Sequence, residues 1–192
     1  MKSTGRLIPL LALLLMTGCT TLKRESASPH ETFPSLEQAV QVVQPLGPLG
    51  KERAETVNIS PKLSPKSAHE NTEDFFEVVT VDGTAGESFS IHANGVCQCF
   101  GMPKWVVNPR IFLFDDAGQL VGESPIDPEL GPLHAMLEGT FPATGRYRLV
   151  LLAESEHHRK RTGAIPTYHN GAYLMDIPYT IRDIGKIMVR FQ

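Results

Sequence analysis

Helix-like apolar periodicity is scarce in this chain, an excess of basic residues is absent, and no apolar run is long. The first absence argues against a helical bundle. The 15 prolines and 16 glycines favour a turn-rich β domain instead. The second leaves a formal net charge of −3 at pH 7, which gives no electrostatic reason to expect a nucleic-acid partner. The longest apolar stretch, residues 7–16, is about half of the roughly 20 residues that a membrane-spanning helix needs. Catalytic signatures are missing too: there is no Gly-x-Ser-x-Gly elbow, no His-Glu-x-x-His helix, no phosphate loop and no dinucleotide fingerprint. Ser, His and Asp occur without a spacing that singles out a triad, so the chain reads as non-enzymatic. Cysteine is rare, with 3 in 192 residues, and Trp105 is the single tryptophan.

What is present begins at the N-terminus. Lys2 and Arg6 precede the apolar stretch, and Thr17-Gly18-Cys19 follows it. Charge, apolar core and small residues in that order read as a secretory signal, residues 1–18. The ending Met16-Thr17-Gly18-Cys19 resembles the lipobox of bacterial lipoproteins. That resemblance implies a palmitate-type lipid on Cys19, removal of the preceding peptide and, with Thr20 after the cysteine, an outer-membrane address facing the periplasm. Two or three acyl chains give a stable anchor where one is marginal.

Residues 19–73 read as a tether. They are rich in Ser, Pro, Glu and Lys and contain the tandem units Ile59-Ser60-Pro61-Lys62 and Leu63-Ser64-Pro65-Lys66, a composition suited to extended, unpacked chain. One island interrupts it. Ser35 and Gln38 form a capping box, and Leu36, Val40 and Val43 fall on one helical face before Pro45 and Gly47. Two turns are too few to be stable alone, so this helix either docks on the domain or touches the membrane.

From Asp74 the period changes to two. Strands are expected at 75–81, 87–93, 110–115, 119–123, 136–141, 146–155, 172–180 and 186–191. Phe89, Ile91 and Ala93 share one face, and Tyr147, Leu149, Leu151 and Ala153 another. Segment 110–115 is apolar on both faces and reads as central, with a hairpin turn at Asp115-Asp116-Ala117-Gly118. About eight strands with turn signals between them predict an all-β antiparallel sandwich, jelly-roll or immunoglobulin-like, over residues 74–192.

The order of parts in 74–155 carries a second resemblance. Gly86-Glu87-Ser88-Phe89-Ser90-Ile91 is followed by Asn108-Pro109-Arg110-Ile111-Phe112-Leu113-Phe114-Asp115 with Ala117-Gly118. Then come Phe141-Pro142-Ala143-Thr144-Gly145-Arg146-Tyr147 and a strand. This resembles the bacterial pre-peptidase C-terminal domain, a small β-sandwich appended to exported proteases. The family implies a sandwich fold and roles in binding matrix or calcium, or in accompanying a catalytic domain. Here no peptidase domain precedes it, and residues 95–108 form a long insertion. Size, anchor and strand content also resemble the small sandwich lipoprotein of type VI secretion systems.

Within that insertion Cys97-Gln98-Cys99 reads in several ways. A disulfide between them closes a small, strained and reducible ring. Each thiol could instead bridge to another chain. With His92 and Met102 the pair also forms a soft ligand set suited to copper(I) or zinc. The basic run His157-His158-Arg159-Lys160-Arg161, with His169 near it, is a solvated loop or a contact for anionic envelope groups. Asp82, Asp115, Asp116, Asp127 and Glu129 lie at turns, where Asp serves its own backbone; as calcium ligands they lack a loop spacing. Trp105 either plugs one end of the sandwich or grips a ligand. The expectation is therefore a lipid-anchored envelope module that binds a protein or polysaccharide, with no cofactor beyond its covalent lipid. A soft-metal or redox protein using Cys97 and Cys99 is the alternative.

Overall fold

A computed structural model describes residues 21–24, 32–69, 72–96, 105–125, 133–154 and 162–192. Among these residues fourteen strands and one helix follow in chain order: β1 (Thr21–Leu22), β2 (Thr32–Phe33), α1 (Leu36–Val42), β3 (Ala54–Ile59), β4 (Lys66–His69), β5 (Thr72–Gly83), β6 (Ser88–Val96), β7 (Trp105–Val107), β8 (Pro109–Phe114), β9 (Leu120–Glu123), β10 (His134–Thr140), β11 (Gly145–Ala153), β12 (Thr162–His169), β13 (Ala172–Arg182) and β14 (Gly185–Phe191). They form a five-stranded sheet β1-β3-β14-β6-β10, a six-stranded sheet β2-β4-β5-β11-β8-β9 and a three-stranded sheet β12-β13-β7. The pairings β1–β3, β2–β4 and β7–β13 are parallel, and the other ladders are antiparallel.

The first two sheets pack face to face. Period-two alternation sends Val57, Ile59, Phe89, Ile91, Ala93, Leu137, Ile187, Val189 and Phe191 inward from one sheet. Val79, Val81, Ile111, Leu113, Leu149 and Leu151 meet them from the other. This is the sandwich that the alternation predicted. Phe141 closes one end, its ring 4.6 Å from Phe89 and 4.7 Å from Tyr147. The Tyr147 hydroxyl donates to the Ala143 carbonyl at 2.6 Å and accepts from the Ala143 amide at 3.2 Å, pinning the turn before β11.

Strand β8 is buried at every position, and α1 is the reason. Leu36, Ala39, Val40 and Val43 pack on Phe76, Val78, Phe112, Phe114, Val150 and Leu152, the outer face of the six-stranded sheet. Ser35 Oγ caps the helix by accepting from the Gln38 amide at 3.4 Å. Arg148 donates to the Val40 carbonyl near the helix C-terminus, where a cation also suits the dipole. The helix therefore docks on the domain.

The expected boundary at residue 73 falls inside this fold. Strand β3 lies between β1 and β14, and β4 lies between β2 and β5. The tandem Ser-Pro-Lys units are not extended spacer: Ile59 is core, Ser64 is buried, and Ser64 Oγ donates to Glu77 Oε1 at 2.6 Å. The physical cause is alternation. Val57 and Ile59 face inward into the core, and Glu55 between the half-buried positions accepts from the Gly50 amide at 3.2 Å; the apolar area of the first two repays the ordering which composition alone argued against.

Candidate functional site

The third sheet is set apart from the sandwich. Asn170 and Gly171, at φ 49° and 78°, turn β12 into β13 in the left-handed conformation that an Asn-Gly hairpin favours. Beyond its base the hairpin pairs within itself, Ala164 opposite Pro178 and Pro166 opposite Asp176. At the base, Thr180, Ile181 and Arg182 run parallel to Trp105, Val106 and Val107. Strand β7 works as a board between the two units. Val107 joins the main core, while Val106 packs with Tyr179, Ile181 and Leu133 in a small cluster of its own. The Arg182 guanidinium lies 4.8 Å from the centre of the Trp105 ring, so one face of that indole is already covered.

The outer part of this ribbon is apolar and open to solvent. Tyr173, Leu174 and Met175 are 56, 58 and 61% exposed. Consecutive strand residues face opposite ways, so both faces of the ribbon carry apolar side chains. Pro166 and Pro178 remove backbone donors from the two strands, which blunts the edges against unspecific strand pairing.

A second surface is the outer face of the five-stranded sheet. Alternation places Ser90, His92 and Asn94 of β6 there, with His134, Met136 and Glu138 of β10 opposite Asn94, His92 and Ser90 in turn. On the other side Met188 stands opposite Asn94 and Arg190 opposite His92. The His92 and His134 ring centres are 5.5 Å apart. His134 Nδ1 is 2.7 Å from Asn94 Oδ1, and Ser90 Oγ is 3.0 Å from His92 Nε2. Partial burial and the neighbouring His92 hold the His134 imidazole below its usual value, which favours the neutral form. Among the described residues no three His, Cys, Asp or Glu side chains converge as a metal site.

Two buried polar clusters brace the fold. Glu77, fully buried, accepts from Ser64 and from Arg24 Nη2 at 2.9 Å; Arg24 also donates to the Gln44 carbonyl at 3.1 Å. Burial pushes the Glu77 carboxyl up, and Ser64 and Arg24 pull it part of the way back. At the far end of β8, Asn108 donates to Glu154 at 2.5 Å, and Arg110 reaches both Glu154 and Glu123.

Of the residues singled out from sequence, His92 and Trp105 lie on these surfaces. Cys19, Cys97, Cys99, Met102, Asp127, Glu129 and His157 to Arg161 lie outside the described residues. Asp115 Oδ1 accepts from the Gln119 amide at 2.7 Å, the backbone role expected of a turn Asp. Asp82 and Asp116 line an open cavity of about 600 Å³ with Thr84, Thr144 and Arg146, and Arg146 is paired to Asp82 at 3.1 Å. His134 and the exposed ribbon were not singled out from sequence. The ribbon's signal was available in Tyr173-Leu174-Met175 beside an Asn-Gly turn.

No protein-family model matches this chain, and no curated protein matches it. The solved structures similar in outline include the following two. The pre-peptidase C-terminal domain of a collagenase from Bacillus anthracis is 11% identical, with 87% of this chain and all of that one covered (100%), at a TM-score of 0.39. PliG of Aeromonas hydrophila, a periplasmic inhibitor of g-type lysozyme, is 12% identical over 90% of this chain and 100% of that one, at a TM-score of 0.30. Both scores lie under 0.5, so the β-sandwich assignment rests on the sheets and registers described above.

Proposed function

We propose that this chain is a lipid-anchored, non-enzymatic module of the bacterial envelope that binds a protein partner through the β12–β13 ribbon. The observation that carries the reading is the exposure of Tyr173, Leu174 and Met175 at the end of a structured hairpin. Exposed side chains of that kind supply the contact area at protein interfaces, where aromatic residues and Met are enriched. The small cluster at the ribbon base fixes its direction, which lowers the ordering penalty on binding.

Anchoring through Cys19 belongs to the same proposal. Strand β1 begins at Thr21, two residues beyond that cysteine, and two extended residues span about 7 Å. A lipid on Cys19 would hold the sandwich against the bilayer surface rather than at the end of a long spacer. Among the described residues no helix is long and apolar enough to cross a membrane.

The test is co-purification from chemically crosslinked envelopes of the intact chain and of its Tyr173→Ser/Leu174→Ser/Met175→Ser variant. A defined partner recovered with the first and lost with the second is the expected result. Equal recovery with both overturns the ribbon. A Cys19→Ser chain that stays with the membrane fraction overturns the anchor separately.

A further inference from the structure

We propose that the outer face of the five-stranded sheet holds a copper(I) site in which His92 and His134 are the nitrogen ligands and Met136 supplies a thioether. The geometry of the two imidazoles is the starting point. Metal–nitrogen bonds of about 2.0 Å at a tetrahedral angle place the centres of two ligand rings about 5 Å apart. The His92 and His134 ring centres, 5.5 Å apart with the rings tilted by 44°, are close to that spacing.

Each ring is also held by a second group. Asn94 Oδ1 can only accept a hydrogen bond, so the 2.7 Å contact puts the proton on His134 Nδ1 and leaves the Nε2 lone pair available. The Ser90 hydroxyl donates to Glu138 Oε1 at 3.4 Å and lies 3.0 Å from His92 Nε2; with Nε2 donating to it, the Nδ1 lone pair is left to bind. Such outer hydrogen bonds, which orient the ring and choose its tautomer, are the usual companions of metal-binding histidines.

The remaining donors point to copper rather than zinc. Met136 stands directly opposite His92 on the neighbouring strand, where side chains on one face approach within about 5 Å at Cβ. Met188 stands opposite Asn94 on the other flank and is 40% exposed. Two imidazoles with thioethers nearby form a soft set, which suits copper(I). A zinc site would want further His, Cys or carboxylate donors, and among the described residues no three such side chains converge as a metal site. The charge of the surroundings points the same way. Arg190, opposite His92 and 3.6 Å from Glu52, and Lys186 further along β14 repel a divalent ion about twice as strongly as a monovalent one. This face is distinct from the ribbon, so the site stands or falls independently of partner binding.

The test is anaerobic competition of the purified full chain with a chromogenic copper(I) chelator, in a Cys19→Ser/Cys97→Ser/Cys99→Ser background that removes all three thiols. One equivalent of copper(I) should bind. His134→Ala and His92→Gln should each weaken it at least tenfold, and Met136→Leu severalfold. X-ray absorption should report nitrogen and sulfur neighbours, and zinc should fail to displace the copper at equal concentration. Thermal melts check that the variants fold, and His92→Gln removes a ligand without opening a cavity. No binding in the thiol-free chain, or binding that both histidine variants leave unchanged, would overturn the site. Zinc bound more tightly than copper(I) would overturn the metal assignment.

Discussion

Replacing Arg24 by Met should destabilise the protein strongly at neutral pH and much less in acid. Arg24 lies five residues after Cys19, and its guanidinium is 2.9 Å from a Glu77 carboxylate whose side chain is 0% exposed. Removing one partner of a buried pair leaves the other charge without compensation, which costs about 3–5 kcal/mol. The Arg24 side chain is itself 11% exposed, and its Nε has no partner among the described residues, so the lower end, about 3 kcal/mol, is expected. Met keeps the apolar stem in place, which confines the loss to the charge. For a chain of this size that is a fall in Tm of about 6–12 °C.

The pH dependence follows from the direction of the Glu77 shift. Its folded value is raised by burial, so the folded state holds the proton more tightly than the unfolded chain does. The stability this provides is complete below the unfolded value and is lost as pH rises through the folded one. Arg24 opposes the rise; without it the folded value climbs further and the loss at neutral pH deepens. The difference between wild type and Arg24→Met, measured by urea denaturation, should therefore be largest near pH 7 and shrink towards pH 4.5. Adding Glu77→Leu to Arg24→Met should recover most of the stability, because an apolar replacement of a buried pair is often neutral. A loss under about 0.5 kcal/mol at pH 7, the size of an ordinary surface change, would refute docking of the segment behind Cys19.

Further outcomes follow from the packing. Gly95→Ala should lose about 3 kcal/mol in the same titration, since a Cβ there would lie 2.0 Å from the Val107 carbonyl oxygen and backbone cannot step aside as a side chain can. Tyr147→Phe should cost about 1 kcal/mol by removing the hydroxyl that pins Ala143. The triple serine variant of the ribbon should melt within about 3–6 °C of wild type, because each of its three surface substitutions stays within about 0.5 kcal/mol; a larger drop would mean that the ribbon packs on the sandwich.

The sandwich was legible because its strands declare themselves twice, by alternation and by turn chemistry. Phe89, Ile91 and Ala93 alternate with polar partners, and the doubly apolar strand from Ile111 to Phe114 required a covered second face, which α1 provides. Strands β3 and β4 were missed because Ser, Pro and Lys around them carry the composition of a spacer. The decisive contacts of Ser64 and Arg24 with Glu77 are long-range and leave no local pattern. His92 drew attention through its neighbours in sequence, Cys97 and Met102. Its neighbours in space, His134 and Met136, come from a strand 42 and 44 residues later, a pairing that register decides and local spacing does not reveal.

The central claim, that the ribbon is where this protein meets its partner, is tested most directly by a photo-crosslinking residue at position 174 in living cells. Val42, 68% exposed on α1, is the matched control. The account predicts a discrete adduct from position 174, none from position 42, and loss of the adduct when Tyr173 and Met175 are replaced by Ser. Adducts of equal yield from both positions, or none from position 174, would contradict it.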